Sequence, residues 1–498
     1  MSIALDLPSS FTRRDFLLGS LLGMGTLSGR TQNSVSRRPN IVFIFADDMG
    51  WRDVPFNGSD FMETPHLERL KREGMTFTNA YASAANCAPS RVCMLSGQYT
   101  PRHAIYAVQS TKRGPVKEMR LAPIPNEVDL SPAKITFGEA MQAAGYQTGL
   151  FGKWHLGYKD GSEPKAQGFS RFVDSRFPDP NRKRDEPEDP KGIFSLTAAA
   201  CAFMEENRGR PFLCYIAHHA IHTNLEARPS SLAKFEAKPK GKQHHNALYA
   251  ACTYDLDAGV GIVLDKLKEL GIEENTVVLF TSDNGGTQQS SQEPLRGSKG
   301  GYYEGGIREP MLVRWPGVVT AGSACEIPVS NIDFYPTFLA LAGGHAQPDY
   351  PLDGESLLPL FRADGRLLRE AIYWHFPGYL DDPVVRGRDL IFRTRPVTVM
   401  RKGDWKLFLY HEEWQLDGGR AKVDSSGALE LYNLRDDPGE RADLALSNRK
   451  MRDALLDEML GWMERTGATM PSLPNPDYAP AEGPKRVPAP GSDAPARG

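Results

Sequence analysis

Four short apolar runs constrain the fold of this 498-residue chain more than any other feature. Each run is continuous rather than alternating, which is typical of a strand buried on both faces of a sheet. The runs are Asn40–Ala46, Gln147–Phe151, Phe212–Ala217 and Thr276–Thr281. Helical segments lie between them, and this alternation favours a mostly parallel sheet sandwiched by helices. We therefore expect an α/β fold whose ligands bind at the carboxyl ends of the strands.

Local signals place the ends of several helices. Thr64 stands as an N-cap before a proline, and Thr136 with Glu139 matches a capping box. The longest helix is predicted from Ala247 to Leu270, where a glycine follows.

The texture of the chain changes near Ala371, which indicates a second, smaller domain. Three short antiparallel strands and a closing helix are predicted at Val397–Arg401, Trp405–Tyr410, Leu429–Leu434 and Met451–Thr466. We predict a main α/β domain at 38–368, an α+β domain containing an antiparallel sheet at 369–470, and a disordered proline-rich tail at 471–498.

The N-terminal segment, residues 1–37, is expected to lie outside the fold as a signal peptide and linker. Arg13 and Arg14 precede an apolar, glycine-spaced run to about Leu27, which looks like a twin-arginine export signal. A frayed basic terminus is the alternative. The signal predicts export to the periplasm or the extracellular space. The run is too short for a membrane span, and we expect no stable span later in the chain.

Composition excludes some functions. The net charge of −3 leaves no overall basic footprint, so we expect no nucleic-acid partner, and any recognition of an anion must be local. Six cysteines spread over the chain are not a disulfide framework. Cysteines in apolar or helical contexts are expected in the core, namely Cys93, Cys201, Cys214 and Cys252.

One cysteine has a different context. Cys87 is followed by Pro89 two residues later and by Arg91 four residues later, and the segment continues as Leu95-Ser96-Gly97. Taken alone, this spacing also fits a buried thiol beside a turn.

Hard oxygen ligands follow two of the predicted strands. Asp47 and Asp48 come directly after the first strand, and Asp283 and Asn284 follow the fourth. Neighbouring carboxylates at buried strand ends repel one another unless a cation or several donors neutralise them. Carboxylate and amide oxygens suit Ca²⁺ or Mg²⁺ rather than zinc.

The remaining strand ends are basic. Lys153 and His155 follow the second strand, and His218, His219 and His222 follow the third. A further element, Leu295-Arg296-Gly297-Ser298-Lys299-Gly300, supplies another lysine. Cations gathered around a metal require an anion between them, and a tetrahedral sulfate or phosphate meets that requirement. Core packing is the preferred interpretation of His218 and His219, whereas His222 is assigned to the site.

The ordered set of motifs resembles that of the formylglycine-dependent sulfatases, in the alkaline phosphatase superfamily. The likeness runs from about Pro39 to Leu444 and includes Gly403-Asp404-Trp405-Lys406-Leu407 in the second domain. It implies an alkaline-phosphatase-like core with a small C-terminal sheet domain. Arg52 and Ser96 depart from the common pattern, at positions where many relatives carry glycine and threonine.

The resemblance implies a role for each matched residue. A formylglycine-generating enzyme would oxidise Cys87 to formylglycine, whose hydrate attacks sulfur with one hydroxyl and expels sulfate with the other. Asp47, Asp48, Asp283 and Asn284, with the modified residue 87, would hold one Ca²⁺, or Mg²⁺ in its place. The other roles are hydrate stabilisation by Arg91, sulfate binding by Lys153 and Lys299, proton removal by His155, and sulfate contact with leaving-group protonation by His222.

The substrate is less constrained by the sequence. We expect a sulfate monoester on a carbohydrate, with possible substrate contacts from Arg102, His103, Arg308, His375, Arg393 and Arg395. The same six side chains fit ordinary packing between the domains. Two other functions stay open: hydrolysis of phosphonate or phosphate esters at the same site, and binding of sulfated glycans by a catalytically silent protein.

Overall fold

The computed structural model describes residues 38–174 and 186–483. Its strands are β1 (Asn40–Ala46), β2 (Met75–Tyr81), β3 (Gln147–Gly152), β4 (Arg171–Val173), β5 (Phe212–Ala217), β6 (Thr276–Ser282), β7 (Arg308–Arg314), β8 (Ser323–Cys325), β9 (Val329–Ser330), β10 (Ala371–Phe376), β11 (Val397–Lys402), β12 (Trp405–Tyr410) and β13 (Leu429–Asn433). Its helices are α1 (Pro65–Glu73), α2 (Cys87–Ser96), α3 (Phe137–Ala143), α4 (Ile193–Glu206), α5 (Pro229–Ala237), α6 (Ala247–Glu269), α7 (Glu304–Ile307), α8 (Phe334–Leu341), α9 (Leu358–Arg362), α10 (His411–Leu416) and α11 (Arg449–Thr466). The predicted export signal lies outside the described residues.

The main sheet is mixed and mostly parallel, as the sequence predicts. Its strand order is β4-β3-β5-β1-β6-β7-β2-β8, with β9 paired to β2. The central strand β1 runs parallel to β5 on one side and to β6 on the other. β7 is antiparallel to both β6 and β2. All four predicted strands are present, and β3 and β6 each extend one residue beyond the predicted end.

The two faces of β1 contribute to two separate cores. Side chains such as Phe43 and Phe45 pack on one face with α3 and α8. Ile44 points to the opposite face and packs with α1, α4 and α6. Because helices cover both faces, every position of the strand is buried, and its sequence is continuously apolar rather than alternating.

The helix α6 is long and apolar enough to cross a membrane by length and composition. However, 72% of its most apolar 18-residue window is buried inside the protein. It packs against α1, α4 and α5. This burial identifies α6 as a core helix that packs beside the main sheet.

A second sheet has the antiparallel order β10-β11-β12-β13. The three strands predicted for it are present, but β10 was not among the sequence predictions. Trp374 and Phe376 of β10 pack in one cluster with Tyr81 of β2, whereas Tyr373 packs on the opposite face with α11. Both faces are therefore buried, and the strand lacks the polar alternation that would reveal it. The domain boundary at 368 stays a prediction.

The first part of the C-terminal tail contacts the body of the protein. Leu121 forms an isolated antiparallel bridge with Pro474. The Asn475 amide donates to the carbonyls of Val116 and Met119, both at 2.8 Å. The prediction of disorder is therefore wrong for residues 471–483, because a tertiary hydrogen-bond network holds this segment, and residues 484–498 lie outside the described part.

The caps of two helices show how local and tertiary signals differ. The capping box of Thr136 and Glu139 is present as predicted. Thr64, by contrast, makes no capping hydrogen bond at the start of α1. The buried carboxylate of Asp257, from α6, instead accepts the backbone N–H groups of His66 at 2.9 Å and Leu67 at 2.7 Å.

The substitution Asp257→Ala is expected to destabilise the protein by about 2 kcal/mol, because two N–H groups at the α1 N-terminus lose their acceptor. Asp265→Ala is the matched control. Asp265 lies on the same helix and contacts Arg69 of α1, but its side chain is 67% exposed. Losing that exposed ion pair is expected to cost about 0.5 kcal/mol or less. Thermal and denaturant unfolding of the three proteins measures the difference, and equal losses for the two variants would contradict the capping role.

Candidate active site

Four oxygen-bearing side chains meet where β1 and β6 end. The register of these two parallel strands carries Asp47 and Asp283 out of the sheet side by side. The Asp48 backbone N–H donates to Asp283 Oδ1 at 3.1 Å, and the Asn284 amide donates to Asp48 Oδ1 at 2.9 Å. All four side chains are buried. The structure therefore brings together the four residues that the sequence assigns to a metal.

Three basic side chains surround these carboxylates. The ion pairs are Lys153 Nζ–Asp47 Oδ2 at 2.7 Å, Lys299 Nζ–Asp48 Oδ1 at 2.5 Å and Arg91 Nη2–Asp283 Oδ2 at 2.8 Å. Burial alone would raise the pKa of Asp47, but the charges of Lys153 and Arg91 outweigh it and hold this pKa well below its ordinary value. Burial and the charge of Asp47 raise the pKa of Asp283 to about 6, despite the opposing effect of Arg91.

The thiol of Cys87 lies at the centre of this cluster. It begins α2, and its Sγ is 3.6 Å from Asp47 Oδ1, 3.8 Å from Asp48 Oδ1 and 3.1 Å from Lys299 Nζ. Burial and the charge of Asp283 raise its pKa far above the ordinary value, against the opposing charges of Lys153 and Lys299. The thiol therefore stays protonated at neutral pH. An unmodified cysteine at this position is poorly suited to act as a thiolate nucleophile.

Two histidines flank the cluster in different environments. His222 is 34% exposed, and its Nε2 lies 3.7 Å from Asp48 Oδ2. His155 has a left-handed backbone with φ of 70°. Burial and the charge of Lys153 lower its pKa to about 3, so its ring is neutral at neutral pH. The neutral imidazole of His155 can accept a proton. The ring of His222 is the more exposed of the two and lies on the solvent side of the site.

The other two histidines that follow β5 do not join this cluster. His218 is fully buried, and neither ring nitrogen has a hydrogen-bond partner within residues 38–174 and 186–483. His219 Nε2 lies 2.7 Å from Asp174 Oδ1. The interpretation of both rings as packed side chains agrees with this placement, although His218 is not a hydrogen-bonded ring.

The site fits a hard divalent cation. Single ligand atoms of Asp47, Asp48, Cys87 and His222 all lie within 4.8 Å of one another. Asn284 Oδ1 is buried and has no hydrogen-bond partner among the residues that the structure describes. A buried amide oxygen without a donor is suited to a metal ion, and the carboxylates beside it are the ligands that Ca²⁺ and Mg²⁺ prefer. A bound dication would also free Lys153 and Lys299 to contact an anion.

A glycine sets the position of Lys153. Gly152, at the end of β3, has φ of 117°, and a Cβ added there would lie 1.9 Å from the Ala217 carbonyl oxygen of β5. The Lys153 backbone N–H donates to the same oxygen at 2.7 Å. Only glycine allows the two strand ends to approach this closely, and the approach brings the lysine against Asp47.

A buried charge cluster supports the site from the second sheet, and none of its residues is among the predicted site residues. Lys406 of β12 is fully buried, and its Nζ lies 2.9 Å from Glu304 Oε1 and 2.8 Å from Glu440 Oε1. Glu304 begins α7, and Gly306 of this helix accepts the backbone N–H of Gly285 at 3.0 Å. The second sheet therefore braces the segment that follows Asn284. A lysine within an otherwise apolar strand is the signal that could have revealed this pairing.

Five of the six side chains proposed for substrate contact are engaged elsewhere. Their partners are the Asp353 carboxylate for Arg102 (2.8 Å), the Cys93 thiol for His103 (3.4 Å), the Thr78 carbonyl for Arg308 (2.6 Å), the Thr398 hydroxyl for His375 (2.9 Å), and the carboxylates of Asp389 (2.5 Å) and Glu412 (2.9 Å) for Arg395. Burial lowers the pKa of His103 to about 3 and that of His375 to about 4. These contacts match the packing alternative. Only Arg393 approaches the site, because it donates to the Lys299 carbonyl at 3.3 Å.

The six cysteines, all within the described residues, are free and buried. This agrees with the prediction that the chain has no disulfide framework.

Comparison with known proteins places the chain in a family. The sulfatase family model matches residues 39–344, and the model for the C-terminal region of N-sulphoglucosamine sulphohydrolase matches residues 298–464. A sulfatase of Formosa agariphila is 30% identical, over 87% of this chain and 89% of its own length. Human arylsulfatase A is 31% identical, over 82% of this chain and 84% of its own length.

Solved structures agree with this assignment. The crystal structure of Ps i-CgsB is 29% identical, has a TM-score of 0.68, and covers 88% of this chain and 95% of its own. The phosphonate monoester hydrolase of Agrobacterium radiobacter, at 18% identity and a TM-score of 0.62, over 86% of this chain and 96% of its own, shares the fold. The chain belongs to the sulfatase family and has the alkaline-phosphatase-like architecture with a second antiparallel sheet. It is a sulfuric ester hydrolase.

Proposed function

We propose that this sulfatase hydrolyses sulfate monoesters on carbohydrates, through a formylglycine made from Cys87 and with one Ca²⁺ at the strand ends. The position of Cys87 supports the proposal. Its Sγ lies 3.6 Å from Asp47 Oδ1, 3.8 Å from Asp48 Oδ1 and 3.1 Å from Lys299 Nζ. Burial nevertheless keeps the thiol protonated. Oxidation of this residue by a formylglycine-generating enzyme replaces a poor nucleophile with a reactive one.

Two relatives support a carbohydrate substrate. Human N-acetylgalactosamine-6-sulfatase is 30% identical over 86% of this chain and 85% of its own length. Ps i-CgsB, in a crystal structure with k-i-k-neocarrahexaose, is 27% identical with a TM-score of 0.69, over 88% of this chain and 95% of its own. Both names refer to sugars, and both chains match ours over most of their length.

The mechanism assigns separate tasks to the residues of the site. When present, the formylglycine hydrate supplies the attacking hydroxyl and a second hydroxyl that clears the ester, while Ca²⁺ neutralises charge on the nucleophile and the sulfate. Lys153 and Lys299 bind the sulfate oxygens as fixed cations. Arg91 stays paired with Asp283 and stabilises the modified residue one helical turn away. Neutral His155 takes a proton when sulfate is expelled, and His222, on the solvent side, protonates the departing sugar oxygen.

The alternatives are tested by kinetics. Sulfate and phosphate esters are both tetrahedral anions, so a phosphonate or phosphate ester hydrolase could use the same groups. Comparing kcat/KM for an aryl sulfate, a phosphate monoester and a phosphodiester distinguishes these activities. A catalytically silent glycan-binding protein would hydrolyse none of them.

We expect mass spectrometry of active protein from its native host to show formylglycine, or its hydrate, at position 87. Cys87→Ala is expected to remove nearly all turnover while the protein stays folded. Cys325→Ala, at the end of β8, is the control and is expected to keep full activity. Full activity with only an unmodified thiol at position 87 would defeat the proposal.

We expect calorimetric titration of chelated protein with Ca²⁺ to reveal a single site, which is lost in Asp283→Ala. Chelation is expected to abolish activity, and Ca²⁺ or Mg²⁺ is expected to restore it, because the carboxylates then hold the cation again. Asp265→Ala, which changes an exposed carboxylate, serves as the control. Retention of Ca²⁺ binding in Asp283→Ala, or a stoichiometric zinc with thiolate ligands, would contradict the assignment.

We expect His155→Ala and His222→Ala to fail in different ways. Loss of one preorganised contact typically lowers kcat by about 10²–10³-fold. If His222 protonates the leaving group, its removal should harm sugar sulfates more than activated phenyl sulfates. If His155 clears the covalent ester, its removal should accumulate a sulfated residue 87, visible by mass. Equal losses on all substrates without a trapped adduct would refute this division.

We also propose export by the twin-arginine route, on the basis of Arg13 and Arg14 and the apolar run behind them. Replacing both arginines by lysine is expected to retain folded, active enzyme in the cytoplasm. Cell fractionation followed by a sulfatase assay measures the effect. An unchanged periplasmic yield would rule out this signal.

A further inference from the structure

A fully buried carboxylate lies behind the candidate metal site and takes no part in the proposed mechanism. Asp53 stands on the same loop as Asp47 and Asp48, and its side chain is fully excluded from solvent. A carboxylate is stable in the interior only where hydrogen bonds or opposite charges compensate for the lost water. The partners of Asp53 therefore indicate what this carboxylate holds in place.

Four donors from three segments of the chain surround the two oxygens of Asp53. The Gly50 backbone N–H, at 2.7 Å, and the Tyr249 hydroxyl, at 2.6 Å, donate to Oδ2. The Ser290 hydroxyl, at 2.5 Å, and the Gln292 side-chain amide, at 3.1 Å, donate to Oδ1. A carboxylate has about four lone-pair sites, so these donors use its whole accepting capacity. One side chain thus ties the loop after β1 to α6 and to the loop after β6.

The backbone of Asp48 has an uncommon conformation that these contacts stabilise. Its φ of 69° is left-handed, which is rare for residues other than glycine and asparagine-like side chains. The Tyr249 hydroxyl lies 3.4 Å from the Asp48 carbonyl oxygen as well as 2.6 Å from Asp53. Gly50, two residues after Asp48, is held by the same carboxylate. The network therefore fixes the turn that directs the Asp48 carboxylate into the site.

Gln292 extends the same constraint to the loop that carries Asn284. Its side chain lies between two glycines. A Cβ added at Gly50 would be 2.4 Å from this side chain, and a Cβ added at Gly286 would be 2.6 Å from it. Gly286 follows Asn284 by two residues. Because Gln292 fills the space between the two loops and donates to Asp53, the carboxylate sets the distance between them.

We propose that Asp53 is a positioning residue for the cation, because it holds Asp48 and Asn284 at the spacing that binds Ca²⁺. Its lone pairs are occupied by donors, so it acts through these two residues and not as a ligand. A neutral amide at position 53 cannot replace it. In either orientation the amide NH₂ group would face an N–H donor, that of Gly50 or that of Gln292. The inference rests on the proposed function, because it requires Ca²⁺ at the strand ends.

The test measures Ca²⁺ binding to chelated protein by calorimetry, together with thermal unfolding and the kinetics of enzyme whose formylglycine is verified by mass. Asp53→Asn is expected to weaken Ca²⁺ binding about 10- to 100-fold, which is typical when a partner that orients a metal ligand is lost. Its kcat should fall at limiting Ca²⁺, and excess Ca²⁺ should restore most of it, because every ligand remains. KM at saturating Ca²⁺ should not change, since Lys153 and Lys299 still bind the sulfate.

Tyr249→Phe is the second variant. It keeps the ring but removes one donor to Asp53 and the contact with the Asp48 carbonyl. It is expected to weaken Ca²⁺ binding in the same direction as Asp53→Asn, by a smaller factor. If Asp53→Asn does not fold, Tyr249→Phe decides the question by the same titration, and a wild-type affinity in it would overturn the inference.

Asp257→Ala is the matched control for a general loss of stability. Asp257 is buried on α6, as Tyr249 is, but it accepts N–H groups of α1. This variant should unfold more easily and keep the Ca²⁺ affinity of the wild type. An unchanged affinity in folded Asp53→Asn, or an equal weakening in Asp257→Ala, would overturn the inference while Ca²⁺ binding by the wild type stands. A wild type that binds no Ca²⁺ would overturn the proposed cation as well.

Discussion

The rest of the site depends on the balance of buried charge at the ends of β1 and β6. Asp47, Asp48 and Asp283 are all buried away from bulk water, and the Asp48 backbone N–H donates to Asp283 Oδ1. Removing a charge from water costs several kcal/mol unless an opposite charge compensates. Here Lys153, Lys299 and Arg91 each neutralise one carboxylate. The same balance makes the cluster receptive to a dication together with a dianion, because the two ligands replace the internal pairs without changing the net charge.

The state of Cys87 follows from that balance. In a cluster with three carboxylates, burial and negative charge disfavour a thiolate, even with two lysines nearby. An unmodified Cys87 is therefore a poor nucleophile. A neutral hydroxyl nucleophile does not carry this handicap, which is the physical reason for the proposed modification of Cys87.

The site lies at the end of the main sheet, and the contacts that support it come from segments far apart in the sequence, including the second sheet. Gly152 allows β3 and β5 to approach at the end that carries Lys153, and Lys406 of the second sheet holds Glu304 at the start of α7. These contacts hold Lys153 and the segment after Asn284 in position.

The sequence by itself determined four central strands of the main sheet and the identity of the polar residues at their ends. Both signals are local, because a strand buried on both faces is a short apolar run and the polar residues follow it directly. It also determined the local capping box of Thr136. The tertiary structure alone decided which partners distant residues find. Asp257 rather than Thr64 caps α1, β10 is hidden between two apolar layers, and His103 pairs with Cys93 rather than facing a substrate. Such choices depend on contacts between segments far apart in the chain, which no local pattern of residues encodes.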